Sequence, residues 1–300
     1  MATASLSGDS TMELPCRTET PPGGRLRVEF GALTHAGNVR ENNEDHFFVA
    51  RLAKSMHVFE SSLPGAGGTR FSDEEGYLMV VADGMGGAAA GERASALAVE
   101  TVEEFVLNTF KWFLHLGYQE EHALAAELRQ GLERADRSVI ERAQGDPKLH
   151  GMGTTLTMAY SVAGDLFVVH AGDSRAYLYR DGELEQVTTD HTLVQVLVKG
   201  GVITPEAARH HRKRNVVTNV IGGPGPGVHA EIHKVLLREG DIVLLCSDGL
   251  TEPVDDEAIA ATLARDSAPK DAARRLVDLA LSRGGPDNVT VVVARYGADG

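Results

Sequence analysis

The stretch VVADGMGG (80–87) ends an apolar run in a lone carboxylate and then spends three glycines within four residues before a helical pattern begins. A strand that stops at Asp83 and turns through Gly86 and Gly87 is an ordinary strand-to-helix junction, because Asp ends strands and Gly accepts positive φ. The rest of the chain repeats the first half of that pattern. DIVLLCSDG (241–249) also ends an apolar run in Asp-Gly, at Asp248 and Gly249, and DLFVVHAGD (165–173) ends one at Asp173. Asp287 stands at the head of NVTVVVA (288–294), and Glu44-Asp45 stand just before HFFVA (46–50).

One such Asp is a turn residue, but five such sites point to a rim where strand ends converge. Converging carboxylates repel one another and are costly to hold together without a cation. Asp and Glu are hard oxygen ligands suited to Mg²⁺, Mn²⁺ or Ca²⁺. No Cys/His pair has zinc spacing, and no EF-hand loop pattern is present. Gly84, without a Cβ, lets its carbonyl approach an ion as a further ligand. Arg40 precedes Glu44 on the same approach to a strand, and Arg grips phosphate in bidentate fashion. Alone it reads as a surface residue; beside a carboxylate rim it reads as the holder of an anionic substrate.

Working outward, LRVEFGALT (26–34), HFFVA and YLMVVAD (77–83) read as strands, with a loop or hairpin insertion between the last two over 51–76. The glycines lead into a helix from about residue 90, whose stripe is Ala94, Leu97, Ala98, Val102, Phe105, Val106, Thr109, Phe113 and Leu116. A second helix covers about 120–144, with Leu124, Leu128, Leu132, Ala135, Val139 and Ala143 on one face. Gly117 separates the two, which predicts a helical hairpin, with Trp112 and Phe113 in its core. Four strands follow over 153–188. Asp181-Gly182 is a type I′ hairpin signal, and Ala163-Gly164 joins the first pair. Residues 190–226 are less regular, with a short helix stopped by Gly200-Gly201 and a helix start at Thr204-Pro205. Strands return at 232–237 and 241–248, helices follow within 256–283 with Asp255 as a cap, and a last strand closes the chain. Antiparallel runs with helices grouped between them predict an α+β fold, a central β-sandwich of two antiparallel sheets flanked by α-helices. Residues 1–24 read as a disordered tail and 25–297 as one domain.

The formal net charge is −14, with 24% charged and 42% hydrophobic residues. That argues against nucleic-acid binding as the main function and is compatible with carboxylates that hold cations. Cys16 and Cys246 lie in unlike contexts and make neither a disulfide framework nor a metal site; Cys246 reads as a buried small hydrophobe in a reducing compartment. No apolar run reaches the roughly 18 residues of a membrane span, and the N-terminus lacks a signal-peptide pattern, so a cytoplasmic protein is expected.

Six motifs stand in order: VRENNED (39–45), VADGMGG (81–87), GTTL (153–156), AGDSRAYL (171–178), CSDGLTE (246–252) and PDNVTVVV (286–293). In this set the chain resembles the metal-dependent, type 2C (PPM) protein serine/threonine phosphatases of bacterial type, over about residues 27–296. The resemblance implies a four-layer architecture with two Mg²⁺ or Mn²⁺ ions at one end. It implies that Asp83 bridges both ions and Gly84 adds a carbonyl. Asp248 and Asp287 would ligate the first ion, and Glu44 or Asp45 the second. Arg40 would bind the substrate phosphate, and Asp173 with Glu252 would hold a third, weaker ion. The implied reaction is attack on phosphoserine or phosphothreonine by a water bridging the two ions, opposing Ser/Thr kinases.

Many eukaryotic relatives have His where this chain has Met85, which cannot donate a proton, so the general acid is open; a water at the third ion is the candidate. His35, His170 and His191 read as structural. GTTL reads as small residues packing a central strand. The basic run RHHRKRN (209–215) reads as a solvated helix end, and its position resembles a variable flap with a role in substrate contact. The expected partners are phosphorylated proteins, with no nucleic acid, no membrane and a monomeric state. Two alternatives are a phosphatase for a partner-switching regulator and a non-catalytic phosphoprotein-binding pseudophosphatase.

Overall fold

The computed structural model describes residues 4–5, 26–59, 68–108, 118–223, 227–265 and 268–298. Among them, strands form two antiparallel sheets. The larger runs β1 (Ala4–Ser5), β10 (Glu231–Leu236), β7 (Asp165–Ala171), β6 (Leu156–Val162), β4 (Gly68–Met85) and β3 (Asp45–Val58), with β5 (Gly153–Thr154) against the end of β4. The smaller runs β2 (Leu26–His35), β12 (Val289–Ala298), β11 (Ile242–Cys246), β8 (Arg175–Arg180) and β9 (Glu183–Gln186).

The continuous apolar runs are strands buried on both faces. Successive side chains point to opposite sides, so one run feeds two cores. From β4, Leu78, Val80 and Ala82 face α1 (Ala88–Asn108) and α2 (Tyr118–Gly145), where they meet Ala94, Ala98, Val102, Leu128 and Leu132. Met79 and Val81 point the other way, into the seam between the sheets, and meet Leu178, Val243, Leu245 and Val292. From β11, Leu244 and Cys246 face outward onto α6 (Asp256–Arg265) and α7 (Pro269–Ser282), against Ile259, Leu263, Leu276 and Val277. The result is helix, sheet, sheet, helix, as the strand-run pattern implies. Cys246 is a buried free thiol.

The turns follow their residues. Asp181 and Gly182 sit at φ 53° and 90°, and Ala163 and Gly164 at 49° and 85°, the two positive angles of a type I′ hairpin. Gly86 and Gly87 sit at φ 121° and 87°, so the end of VVADGMGG needs glycine for the backbone reversal into α1. Thr204 caps α4 (Pro205–Arg209) by accepting from the Ala207 N–H, and Asp255 accepts from the Ala258 N–H at the head of α6.

The 51–76 segment resolves toward the hairpin reading. β3 and β4 pair from Asp45↔Asp83 out to Val58↔Gly68, with one register shift between Ala53 and Ser55. Residues 60–67, Cys16, Thr109, Trp112, Phe113, Leu116 and Gly117 lie outside the described residues. In the N-terminal tail, Ala4 and Ser5 pair with Lys234 and His233; residues 1–3 and 6–25 lie outside the described residues.

α7 begins directly over β2: a Cβ on Gly31 would collide with the backbone of Pro269 and Lys270. Gly31→Ala is therefore expected to cost about 1–3 kcal/mol by overpacking, read from urea or thermal unfolding. Gly297→Ala, where a Cβ meets open space, is the control and should leave stability unchanged or slightly raised.

Candidate metal centre

The register of the larger sheet sets Asp45 directly opposite Asp83, so the sheet itself places two carboxylates side by side at its lip. The Asp83 backbone is held from both sides. Its N–H donates to Thr155 Oγ1 (3.0 Å), and its carbonyl accepts from the Thr155 N–H (2.9 Å) and from Thr154 Oγ1 (2.8 Å). Thr155 Oγ1 also bonds Ser174 Oγ (2.7 Å), which ties this end of β4 to the residue after Asp173. GTTL is thus more than small packing: its two threonines clamp the Asp83 backbone.

The smaller sheet brings the others. Asp248 opens the one-turn helix α5 (Asp248–Thr251) directly after β11, and Asp287 precedes β12. Ser247 joins the two sheets: its Oγ donates to Asp45 Oδ2 (2.7 Å) and accepts from the Thr290 N–H (2.9 Å). Asn288 gathers the approach to β3. Its Oδ1 accepts from the Glu44 N–H (2.8 Å), and its Nδ2 donates to the carbonyls of Ala36 and Asn42 (2.9 and 2.8 Å).

Two glycines of the motifs are forced by proximity. A Cβ on Gly84 would collide with the carbonyl of Gly91, and one on Gly91 with the Glu44 carboxylate. A Cβ on Gly249 would collide with the Asn288 carbonyl. Gly84 and Gly249 follow their aspartates because the backbone there touches a neighbouring element, a reason independent of any ion.

The carboxylates feel one another. Asp83 is pushed well above the usual carboxylate range by burial and then by the charges of Asp45, Asp248, Asp173 and Asp287. Asp248 is raised likewise by burial, Asp173, Glu252, Asp287 and Asp45. Asp173 rises to about 6 through burial and Asp190. Asp45 also rises to about 6, through burial opposed by hydrogen bonds from Ser247 and Thr290. Burial raises Glu44, against the pull of Arg40.

Arg40 is the local counter-charge: its guanidinium donates to Asp287 Oδ2 (2.7 Å), and that bond, more than the charges of Glu44 and Asp83, raises its pKa. Among the described residues no three side chains already form a closed cage; Arg40 holds Asp287, and Ser247 holds Asp45. The donor set nonetheless fits a hard divalent cation. It is all oxygen, its members repel, Asp45 Oδ1 is buried without a hydrogen-bond partner, and the carboxylates of Asp83 and Asp248 accept no hydrogen bond among the described residues.

A cleft of about 1610 Å³ opens from the rim, with Asp173 and Asp248 on its floor. One wall is the segment after His191, including α3 (Leu193–Lys199) and α4; the other is the stretch from α5 into α6. Arg214 spans the two, 3.5 Å from Glu252. The histidines are structural. His170 is buried, with Nδ1 accepting from Thr157 Oγ1 and Nε2 donating to the Gly172 carbonyl; burial and His191 lower its pKa to about 4. His191 Nδ1 accepts from the Gly172 N–H, and its Nε2 meets Glu231 at 2.8 Å. His35 accepts from the Gly37 N–H.

The structure therefore gathers Glu44, Asp45, Asp83, Asp173, Asp248, Asp287 and Glu252 around one rim with Arg40 over it. Sequence reasoning missed Asn288, Ser247, Thr154 and Thr155. The available signal was a hydroxyl or amide next to a rim carboxylate, in CSD and PDN.

The Protein phosphatase 2C family model matches residues 66–280. The serine/threonine protein phosphatase PstP of Mycobacterium tuberculosis is 39% identical over 270 residues, 90% of this chain but 45% of the relative, so the chain spans about half of that protein's length. Protein phosphatase PhpP of Streptococcus pneumoniae is 32% identical over 89% of this chain and 96% of its own. A solved structure of the PstP catalytic domain, in complex with two manganese ions, superposes with a TM-score of 0.71 at 37% identity, covering 91% of this chain and 100% of that one. With the six motifs lying where two sheet ends meet, the chain belongs to the protein phosphatase 2C family.

Proposed function

We propose that this chain is a metal-dependent protein serine/threonine phosphatase that hydrolyses phosphoserine and phosphothreonine in proteins, opposing Ser/Thr kinases. The observation that carries the reading is the rim of mutually repelling, under-bonded carboxylates at the floor of an open cleft. Asp83, the Gly84 carbonyl, Asp248, Asp287 and Glu44 or Asp45 are the residues that would hold two Mg²⁺ or Mn²⁺ ions, and Asp173 with Glu252 a third. When bound, such ions supply Lewis acidity and offset charge for phosphate-ester hydrolysis. The two manganese ions of the PstP catalytic domain support this assignment.

The chain's own residues do the rest. Arg40, now on Asp287, has a planar donor fork free to turn to two phosphate oxygens and orient the phosphoryl group. Ser247 orients Asp45, and the threonine clamp keeps Asp83 at the lip. Met85 ends β4 and offers no proton, so the leaving alkoxide takes its proton from solvent beside Asp173 rather than from a side chain at 85. The open cleft admits a protein segment rather than enclosing a small metabolite. We assign the activity to a cytoplasmic monomer; the buried free thiol of Cys246 suits a reducing compartment. Among the described residues no helix is long and apolar enough to cross a membrane.

Hydrolysis of a phosphothreonine peptide should require Mn²⁺ or Mg²⁺ and stop with EDTA. Asp83→Asn and Asp248→Asn should each lower kcat by roughly two orders of magnitude or more. The same two changes should raise the melting temperature of the metal-free protein by a few degrees, about 1 kcal/mol of relieved repulsion, because a neutral amide replaces a charge the fold disfavours. Mn²⁺ should stabilise the unaltered protein more than either variant; equal stabilisation would remove these residues from the ion site. Ser247→Ala should weaken Mn²⁺ binding roughly 10- to 100-fold, measured by titration calorimetry, because Asp45 loses its orienting donor.

A further inference from the structure

We propose that the basic run Arg209–Arg214 receives acidic residues flanking the phosphorylated residue, so that the substrate class is acid-flanked phosphoserine and phosphothreonine segments; this rests on the phosphatase reading above. The segment carrying the run leaves and rejoins the body at one neck. The His191 N–H donates to the Gly172 carbonyl (2.7 Å), the Thr218 N–H to the His191 carbonyl (2.7 Å) and the Leu193 N–H to the Val216 carbonyl (2.8 Å). The His191 ring stacks on His170 at 4.8 Å and is held by Glu231. That neck is fixed to Gly172, next to Asp173 on the cleft floor. Two residues before Val216, at this same neck, Arg214 reaches across to Glu252. The basic run is thereby tied beside the rim at its C-terminal end, and Arg209, His210 and Arg214 line the cleft.

The charge of this segment runs against that of the molecule. The chain carries −14, yet RHHRKR (209–214) contains Arg209, Arg212, Lys213 and Arg214 and no acid. Arg212 and Lys213 are exposed, and neither forms an ion pair among the described residues. Among the described residues no carboxylate neutralises them, so their charge is available to a partner. The opposite wall carries Glu252, Asp255, Asp256 and Glu257. An acidic substrate flank is therefore repelled from one wall and drawn to the other, which gives the bound segment a direction. The acidic wall and the −14 chain disfavour a long polyanion such as RNA, whereas a few acidic residues beside one phosphate match the short basic run.

The test compares phosphothreonine peptides with one core, bearing glutamates before the phosphoresidue, glutamates after it, or neutral flanks, with Mn²⁺ at low and high salt. The unaltered protein should prefer one of the two acid-flanked peptides over the neutral one by roughly ten-fold in kcat/KM, through KM, and the preference should shrink as salt rises. Arg212→Glu/Lys213→Glu should abolish or invert that ratio; turnover of the neutral peptide in the same assay reports on the catalytic site separately. An equal ratio in the two proteins, or no preference in the unaltered one, overturns the proposal while leaving the phosphatase reading intact. No turnover of any peptide with Mn²⁺, or with Mg²⁺ in its place, overturns the phosphatase reading and this proposal with it. Binding of a short RNA through the same two residues, tighter than the acid-flanked peptide, overturns it in favour of nucleic acid.

Discussion

Electrostatic repulsion at the seam between the two sheets is the constraint around which this molecule is organised. Asp45 and Asp83 are cross-strand partners on one sheet, and Asp248 and Asp287 bracket strands of the other. Held together without a cation, Asp45, Asp83 and Asp248 are driven toward the protonated state, which costs folding free energy at neutral pH. The surroundings restrain the cluster and do not neutralise it: Ser247 takes one oxygen of Asp45, Arg40 takes one of Asp287, and no described residue donates a hydrogen bond to the carboxylates of Asp83 and Asp248. A fold that accepts this cost and leaves oxygens unbonded is one in which a cation completes the site.

The two-sheet architecture explains how such a cost is carried. Three apolar layers, one in the seam and one under each helical pair, fix the strands on both faces. The carboxylates sit where strands leave those layers, largely buried at the sheet ends but outside the apolar clusters themselves. Close backbone contacts at Gly84 and Gly249 then draw neighbouring elements to the strand ends with no side chain between them. Backbone approach and hydroxyl clamps make the rim rigid, and rigidity gives an array of like charges a defined geometry.

In the proposed reading, a rim of carboxylates with one arginine accounts for a phosphate and little else, and the cleft beside it supplies the contacts to the rest of a substrate. The segment anchored at His191 places cations beside it, opposite an acidic wall. The same chain thus carries an anionic rim and a cationic segment, bridged by the Arg214 to Glu252 contact.

Much of this was legible in the residues alone. The apolar runs at 77–83, 165–171 and 242–246 announced doubly buried strands, Asp181-Gly182 announced its turn, and the aspartates at the ends of those runs announced a rim, because strand periodicity and turn chemistry are local properties. What the residues did not disclose is what holds the rim. Ser247 meets Asp45 across 202 positions, Asn288 meets Glu44 across 244, and Arg40 meets Asp287 across 247. No period or spacing reports a contact of that separation. The reason for glycine after each aspartate likewise became visible only when Gly91 and Asn288 were brought against it. Sequence determined which groups stand at the ends of which strands; the packing of one sheet on the other decided that those ends meet, and which hydroxyl, amide or guanidinium would hold each carboxylate in place.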